Sequence, residues 1–244
     1  MLPDVHQVLF TDPGVPAPTG YVAEAMRSVR DAFPTGTYTC WDLGHARALI
    51  EEHFEPEVLR AFECLQPYAY KGDLFKYCLL YVRGGWYADV GTRVLQQPMT
   101  APFAQSADPP RLVVFRGTGQ WDAAWGCSIS FLYAAPGHEI FPTAIAEVVD
   151  NCKHQRYGVN PLSPTMTAFG RAIAIHNVRE QIEVGLIVDV QGQPYERAHH
   201  LDPLGHVAAR KPGNHGGDMT GIGIGGTNNY AQMWEARQVY GPWW

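Results

Sequence analysis

Apolar residues in this chain are concentrated in short runs, which are separated by polar and turn-forming segments. Runs of this length predict buried β-strands. The predicted strands cover residues 5–10, 37–41, 86–90, 111–115, 127–133 and 182–190. The first of them is closed by Asp12-Pro13-Gly14, which is a typical turn sequence.

Between the strands, apolar positions recur at the three- and four-residue spacing of amphipathic helices. The predicted helices follow Thr19, begin at the cap residue Asp42 and at Pro56, and cover the segments 140–152 and 166–175. Because strands and helices alternate along the chain, we expect an α/β sheet protein and not a helical bundle or a β-sandwich.

The length and charge of the chain limit its organisation and its partners. A chain of 244 residues fits one well-buried α/β domain, and no linker or internal repeat divides it. We therefore expect a single domain over residues 1–244. The formal net charge is -6 and no run of Lys or Arg is present, so we expect no general affinity for nucleic acid or an anionic membrane.

Cysteine usage and the distribution of apolar residues indicate the compartment. The five cysteines include no Cys-x-x-Cys pair, which favours buried free thiols in a reducing compartment over a disulfide framework or a zinc knuckle. The N-terminal residues lack the pattern of a signal peptide. No apolar run reaches the ~18 residues that predict a membrane span. We therefore expect a soluble, cytoplasmic protein.

Residues 199–229 form a segment rich in glycine and histidine. It holds a glycine cluster and four of the ten histidines, namely His199, His200, His206 and His215. This composition fits an ordinary flexible loop, and it also fits a lid that closes over a ligand. In either case we expect a loop, and we take it as a candidate active-site loop.

The segment 70–95, YKGDLFKYCLLYVRGGWYADVGTRVL, carries the clearest chemical signal. Asp73 is placed to cap a helix with a buried apolar stripe. Gly84-Gly85 ends this helix, and the chain returns as a strand with Asp89 near its carboxyl end. The crevice outside the carboxyl ends of strands is where open α/β sheets bind nucleotides.

Alternation along this predicted strand separates two sets of side chains. Tyr87 and Asp89 fall on one side of the strand, and Trp86 and Ala88 fall on the other. We expect the first pair to face a binding site and the second pair to face the core.

A nucleotide-sugar site needs three features that this segment is able to supply. Asp89 offers a carboxylate for a divalent cation, Asp73 offers a polar group for sugar or ribose hydroxyls, and Gly84-Gly85 lets the backbone approach closely. Taken singly, the same residues also fit a structural interpretation as an exposed strand end, a helix cap and a turn. Their combination favours the binding site.

This combination resembles the sugar-binding region of the DXD glycosyltransferases, a group that includes yeast-type mannosyltransferases, capsular polysaccharide synthesis enzymes and large clostridial glucosylating toxins. The Asp73-to-Asp89 interval and the Gly-Gly-x-Tyr-x-Asp sequence fit its pattern. Weaker likeness extends to LPDVHQVLF, SISFLYAAPGHEIF and NPLSPTMT, and to NHGGDMT or NNYAQMW. The resemblance implies a glycosyltransferase-A type fold, which is one Rossmann-like α/β domain with a mainly parallel central sheet and added helices.

The resemblance also implies roles for particular residues. Asp73 would bind ribose or donor-sugar hydroxyls, Lys76 would contact the sugar or the diphosphate, and Asp89 would be the first Asp of the DXD motif. Lys76 and Asp89 are the candidate catalytic residues. The other candidate substrate-binding residues, which would flank the base or line the sugar pocket, are Val8, Leu9, Tyr87 and Ser130.

Two departures from the family pattern concern the diphosphate. Lys76 replaces an arginine, which leaves a point charge in place of a bidentate fork, and Gly91 replaces the second Asp of the DXD motif. A divalent cation would then be held by Asp89 with help from a tail residue such as His215 or Asp218. We expect manganese over magnesium, because a nitrogen ligand suits manganese better.

The hypothesis that follows is a retaining hexosyltransferase that uses a nucleotide sugar, expected to be UDP-linked, and a divalent cation. The acceptor stays open among a protein, a glycan, a small molecule and a modified nucleobase. Two alternatives remain. Loss of the second Asp also fits a nucleotide-sugar-binding protein of the same fold with weakened catalysis. The tail histidines also fit a metal-dependent hydrolase, although they lack the fixed helical spacing of a metalloprotease.

Overall fold

The computed structural model of the protein describes residues 3–95, 110–117, 126–176, 182–190, 196–213 and 216–243. These residues form one sheet of nine strands with helices packed on it. The strands are β1 Val5–Val8, β2 Tyr38–Trp41, β3 Gly85–Ala88, β4 Arg93–Val94, β5 Leu112–Gly117, β6 Cys127–Ala134, β7 Ile182–Asp189, β8 Ala198–Leu201 and β9 Val207–Lys211. Their order across the sheet is β2-β1-β3-β6-β5-β7-β8-β9-β4.

The helices lie between these strands, mostly where the apolar spacing predicts them. They are α1 Gly20–Ala32, α2 Leu43–His53, α3 Pro56–Cys64, α4 Tyr68–Arg83, α5 Ile140–Lys153, α6 Met166–His176 and α7 Tyr230–Glu235, with a 3₁₀ turn at Thr220–Ile222. The predicted cap of α2 is confirmed, because Asp42 Oδ1 accepts the His45 N–H at 2.8 Å. Pro56 is the first residue of α3, as predicted.

The sheet is mixed. Strand β1 is parallel to β2 and β3, and β5 is parallel to β7. The other five neighbouring pairs are antiparallel, so the sheet has fewer parallel pairs than the mainly parallel arrangement that we expected. Two of these antiparallel pairs arise because β8 and β9 follow β7 through short connections, which join antiparallel neighbours. The α/β class itself is confirmed.

The segment 199–229 is not a continuous loop, which corrects the sequence prediction. Its first part supplies most of β8 and all of β9, and these strands pair with each other and with β7 and β4. The sequence hides both strands because their buried side chains include alanines and a histidine, His200, in place of large apolar residues. The glycine-rich remainder contains the 3₁₀ turn.

Asp73 does not cap α4, which is a second correction. The helix begins at Tyr68, with Pro67 as its extended cap residue, and Asp73 lies in the second turn. Pro67 accounts for the early start, because its fixed φ suits the entry to a helix. The predicted end of the helix is confirmed, since Gly84 follows Arg83 with φ 63°.

Most of helix α4 belongs to one large apolar cluster of the core. Helix α4 is buried from Tyr70 through Leu80 apart from partial exposure at Asp73, and it packs against α5, α2 and β3. A buried helix of this kind holds its polar residues in fixed positions. Asp73 and Lys76 are therefore placed by the core and not by a surface loop.

Two further sequence expectations concern the state of the cysteines and the presence of a membrane-spanning helix. All five cysteines are free thiols, as expected, but Cys40 is exposed while the other four are buried. Among the helices in the described ranges, none combines the length and apolar character that crossing a bilayer requires.

Candidate functional site

A cleft of about 280 Å³ opens where β1 and β3 end, beside the amino end of β6 and the carboxyl end of β9. Strands β1 and β3 are parallel, so their carboxyl ends meet at one edge of the sheet. Seven of the predicted site residues line this cleft: Val8, Leu9, Asp73, Lys76, Tyr87, Asp89 and Ser130. The sheet thus brings together residues that are up to 122 positions apart, from Val8 to Ser130.

Asp89 directly follows β3 and is held mainly through its backbone. Its N–H donates to the Ser130 carbonyl at 2.8 Å, and its own carbonyl accepts from Thr92 N–H at 2.8 Å and from Gln7 Nε2 at 3.3 Å. Its Oδ1 accepts from the Tyr87 hydroxyl at 2.9 Å. The side chain is 42% exposed, so the carboxylate is fixed in place but open to the cleft.

Lys76 lies between the two candidate carboxylates. Its Nζ is 3.3 Å from Asp73 Oδ1 and 3.4 Å from Asp89 Oδ1, and it sits 4.4 Å from the centre of the Tyr87 ring. Only 2% of its side chain is exposed. The ammonium group therefore contacts two carboxylates and an aromatic ring, and it fixes the spacing of Asp73 and Asp89.

Asp73 projects from α4 toward a residue that lies far along the chain. Its Oδ2 accepts from the Thr165 hydroxyl at 2.7 Å. Burial raises the pKa of Asp73, the negative charge of Asp89 adds to that rise, and the Lys76 ammonium and the Thr165 hydroxyl oppose it.

The pKa of Asp89 shifts in the opposite direction. Burial on its own would raise the pKa of this carboxyl group, but the ammonium groups of Lys76 and Lys211 and the Tyr87 hydroxyl outweigh it, and the pKa is lowered. Asp89 is therefore the carboxylate of the cleft that most firmly keeps its negative charge.

Strand alternation places Tyr87 and Trp86 as predicted. Tyr87 lines the cleft, and burial raises the pKa of its phenol well above the usual value, so its hydroxyl stays a donor to Asp89. Trp86 points into the core and stacks on Phe131 at 4.9 Å between ring centres. Ala88 belongs to the same core cluster as Trp86.

Ser130 lines the cleft from β6 and is part of a buried polar chain. Its Oγ is 2.7 Å from Ser128 Oγ and 3.1 Å from His200 Nε2. The pKa of His200 is lowered to about 3, mainly by burial and in part by the positive charge of the nearby Lys211. A neutral imidazole is therefore the neighbour that orients the Ser130 hydroxyl.

Part of the cleft lining is apolar and aromatic, which suits a nucleobase. Val8 lines it at the end of β1, and Leu9 donates its N–H to the Trp41 carbonyl at 2.9 Å. Phe10 and Tyr68 continue this wall, and the Tyr68 hydroxyl donates to Asp12 Oδ1 at 2.8 Å.

The described residues fit a divalent cation only together with a ligand that supplies oxygens. Asp89 offers one exposed carboxylate, Gly91 offers none, and no group of three His, Cys, Asp or Glu side chains in the described ranges is placed to hold a metal. Asp218 does not line the cleft, and its Oδ1 accepts the Thr220 N–H at 3.0 Å. His215 lies outside the described residues. A metal held by one carboxylate needs further oxygens, and a diphosphate carries them.

The structure adds two cleft residues that the sequence did not single out. Thr165 lies in the stretch NPLSPTMT, which the family resemblance includes. The sequence did not predict that its hydroxyl donates a hydrogen bond to Asp73. Lys211 ends β9, a strand that the sequence analysis missed, and no motif marks it.

Comparison with known proteins finds similarity to glycosyltransferases. Residues 19–108 match the family model described as "Glycosyltransferase sugar-binding region containing DXD motif". "Putative glycosyltransferase HOC1" of Saccharomyces cerevisiae is 28% identical over 115 residues, which is 42% of this chain and 29% of that protein. This chain therefore spans less than a third of the length of that relative. These matches confirm the resemblance that the sequence motifs indicate.

Two solved structures of glycosyltransferases overlap with this chain to different degrees. The structure titled "PaToxG Glycosyltransferase" overlaps with a TM-score of 0.51 at 14% identity, over 72% of this chain and 69% of that one. A glycosyltransferase described as involved in glycosylation of the major capsid of PBCV-1 overlaps with a TM-score of 0.38 at 9% identity, over 75% of this chain and 81% of that one. The first likeness confirms the predicted glycosyltransferase type of α/β fold.

Proposed function

We propose that this protein is a retaining glycosyltransferase that moves a hexose from a nucleotide sugar, UDP-linked, to an acceptor. The observation that carries this proposal is the arrangement of Asp73, Lys76 and Asp89 in one cleft inside the region that matches the glycosyltransferase model. The cleft combines two carboxylates that share one buried ammonium group with apolar and aromatic lining residues that suit a base. This combination fits a ligand with a base, a charged linker and a sugar.

The proposed roles follow from the contacts. Asp73, fixed by Thr165, accepts hydrogen bonds from donor hydroxyls, and Ser130 faces the donor sugar. Lys76 keeps Asp73 and Asp89 at their spacing. Val8 and Leu9 flank the base, and Tyr87 lines the pocket while holding Asp89.

The proposed reaction breaks the bond between C1 of the donor sugar and the β-phosphate oxygen. The acceptor oxygen forms its bond to C1 on the same face, so the configuration is retained. The leaving nucleoside diphosphate takes the bonding electron pair and the proton of the acceptor hydroxyl. The protein contributes by positioning and by stabilising the charge that develops on the diphosphate.

A divalent cation, manganese before magnesium, is the proposed cofactor, and its chemistry is to neutralise the leaving diphosphate. Asp89 is the residue that would hold it, with Asp218 and His215 as the further candidates named by the sequence. The exposed carboxylate of Asp89 supports this assignment.

Gly91 favours one second candidate function, which is a nucleotide-sugar-binding protein with weakened catalysis. The family pattern has an Asp at this position, and here a direct or indirect ligand of the cation is missing. Binding of the donor without turnover distinguishes this candidate from the enzyme.

The test is donor binding and donor hydrolysis by the purified protein with UDP-glucose and manganese. We expect binding by calorimetry and slow release of UDP, and we expect Asp89→Asn to slow that release at least ~100-fold. Asp31→Asn, at an exposed position on α1, is the control and should keep the wild-type rate.

Three results would change the proposal. An unchanged rate in Asp89→Asn removes Asp89 from catalysis. Binding by the wild-type protein without UDP release supports the binding protein instead. Absence of binding to both UDP- and GDP-linked sugars contradicts a nucleotide-sugar site.

A further inference from the structure

Among the residues that the structure describes, four charged side chains line the cleft: Asp73, Asp89, Lys76 and Lys211. With both acids ionised and both lysines protonated, their charges sum to zero. The second carboxylate of a DXD motif would leave the site negative and attractive to a cation, but Gly91 stands at that position. These described side chains therefore give the cleft no excess of negative charge with which to recruit a metal ion on its own.

Lys76 is poorly placed to receive a phosphate. Its Nζ already has Asp73 and Asp89 within 3.4 Å, its side chain is 2% exposed, and the Tyr87 ring covers another side. Turning this ammonium toward a ligand would leave two carboxylates without their shared partner, which is costly for buried charges.

Lys211 is placed differently. It is the last residue of β9, half-buried at the wall of the cleft, and the next residue, Pro212, lies beside Gly91. An ideal Cβ on Gly91 would be 3.4 Å from Pro212 Cγ and Cδ. Within the described part of the chain, no residue forms a hydrogen bond or an ion pair with its ammonium group. Lys211 therefore presents a positive charge next to the position of the missing carboxylate.

We propose that Lys211 is the residue that binds the diphosphate of the donor, and that a nucleoside diphosphate therefore binds this protein without a divalent cation. This inference rests on the proposed function for the identity of the ligand. A phosphate oxygen accepts charge-assisted hydrogen bonds from an ammonium group, which are stronger than neutral ones. Asp89, together with the bound diphosphate, would then hold a divalent cation that neutralises the phosphate charge.

A purely structural role for Lys211 makes a different prediction for binding. If its charge served only to balance Asp89, whose pKa it helps to lower, removing it would destabilise the fold and leave ligand binding unchanged. If it also binds phosphate, removing it lowers the affinity for a diphosphate in protein that is still folded. The affinity for the diphosphate, and not the stability, therefore separates the two roles.

The experiment measures the affinity for UDP, GDP, UMP and GMP in EDTA, with thermal unfolding of each variant. We expect the wild-type protein to bind at least one diphosphate in EDTA, more tightly than its monophosphate. We expect Lys211→Met to lower that affinity at least ~10-fold at a temperature where the variant is fully folded, and Lys211→Arg to retain most of it. Lys153→Met, at an exposed position at the end of α5, is the matched control and should bind like wild type.

Two results overturn the inference. One is that neither diphosphate binds the wild-type protein in EDTA. The other is that Lys211→Met binds as tightly as Lys153→Met. Turnover of UDP-glucose with manganese is measured separately on the same preparations, so a failure of the Lys211 inference and a failure of the glycosyltransferase proposal are told apart.

Discussion

At the scale of single residues, burial determines which groups in the cleft keep their charge. Asp89 has a lowered pKa because the ammonium groups of Lys76 and Lys211 outweigh its burial, whereas the pKa of Asp73 is raised because burial dominates. The two carboxylates share Lys76 as a counter-ion but differ in their pKa: Asp89 keeps its negative charge more firmly, and Asp73 takes up a proton more readily.

His200 provides a prediction about pH at the same scale. Its pKa falls from 6.5 in the unfolded chain to about 3 in the fold, so the unfolded state binds the proton more readily. Stability is then present above pH 6.5 and is lost as the pH falls from 6.5 toward 3. We expect wild-type protein to lose roughly 1–2 kcal/mol more than His200→Gln between pH 6.5 and pH 5.

Urea unfolding at both pH values measures this difference. His53→Gln, at an exposed histidine on α2, should follow the wild-type pH dependence. If the free energy of unfolding falls equally with pH in wild type and His200→Gln, His200 is protonated inside the fold as readily as in the unfolded chain. The polar chain to Ser130 would then need a charged imidazole.

At the scale of elements, the connection between α4 and β3 aligns the two halves of the site. Asp73 and Lys76 come from the helix, and Tyr87 and Asp89 come from the strand or directly after it. Gly84 joins them with φ 63°, and a Cβ there would be 2.6 Å from the Pro136 nitrogen and Cδ. Because both the backbone and the space require glycine, this turn sets how the helix meets the strand.

We predict that Gly84→Ala lowers the free energy of unfolding by at least ~2 kcal/mol, since it combines backbone strain with overlap. Gly137→Ala is the matched control, because Gly137 has a similar φ of 70° but a Cβ there meets nothing within 4 Å. That control should cost only about 1 kcal/mol of backbone strain. Urea unfolding measures the free energy of unfolding of both variants. An equal decrease in the two would show that the contact with Pro136 does not affect stability.

At the scale of the whole molecule, the sheet places Gly91 against the segment that follows β9. Gly91 is not in the left-handed region, and a Cβ there would keep 3.4 Å or more from Pro212 and Met219. The backbone and the space for a Cβ therefore do not by themselves require glycine at this position. We expect the lack of an aspartate here to limit metal binding in the empty protein, because Asp89 offers one exposed carboxylate and two lysines lie near it.

We predict that the empty wild-type protein binds Mn²⁺ weakly and that affinity appears with UDP present, since the diphosphate supplies oxygen ligands. Gly91→Asp should raise the Mn²⁺ affinity of the empty protein at least ~10-fold, while Gly91→Asn, of the same size but neutral, should not. Titration of free Mn²⁺ by electron paramagnetic resonance measures both. Tight Mn²⁺ binding by the empty wild-type protein would reveal a complete protein site and contradict the prediction.

The sequence by itself determined the order of most helices and strands, the Gly84-Gly85 stop of α4 and the position of Asp89 at a strand end. These features depend on local spacing, capping and backbone freedom, which a sequence displays directly. The side chains on either side of β3 also followed from alternation, with Trp86 in the core and Tyr87 in the cleft.

Only the tertiary structure decided which distant residues complete the site. Thr165 reaches Asp73 across 92 positions, His200 reaches Ser130 across 70, and Lys211 arrives on a strand whose small residues gave no apolar pattern. Strand neighbours and the direction of each pair depend on packing and connection length across the whole chain. For that reason the motif identified Lys76, but only the folded protein shows that its ammonium group contacts two carboxylates. Only the folded protein shows that Lys211 lines the same cleft.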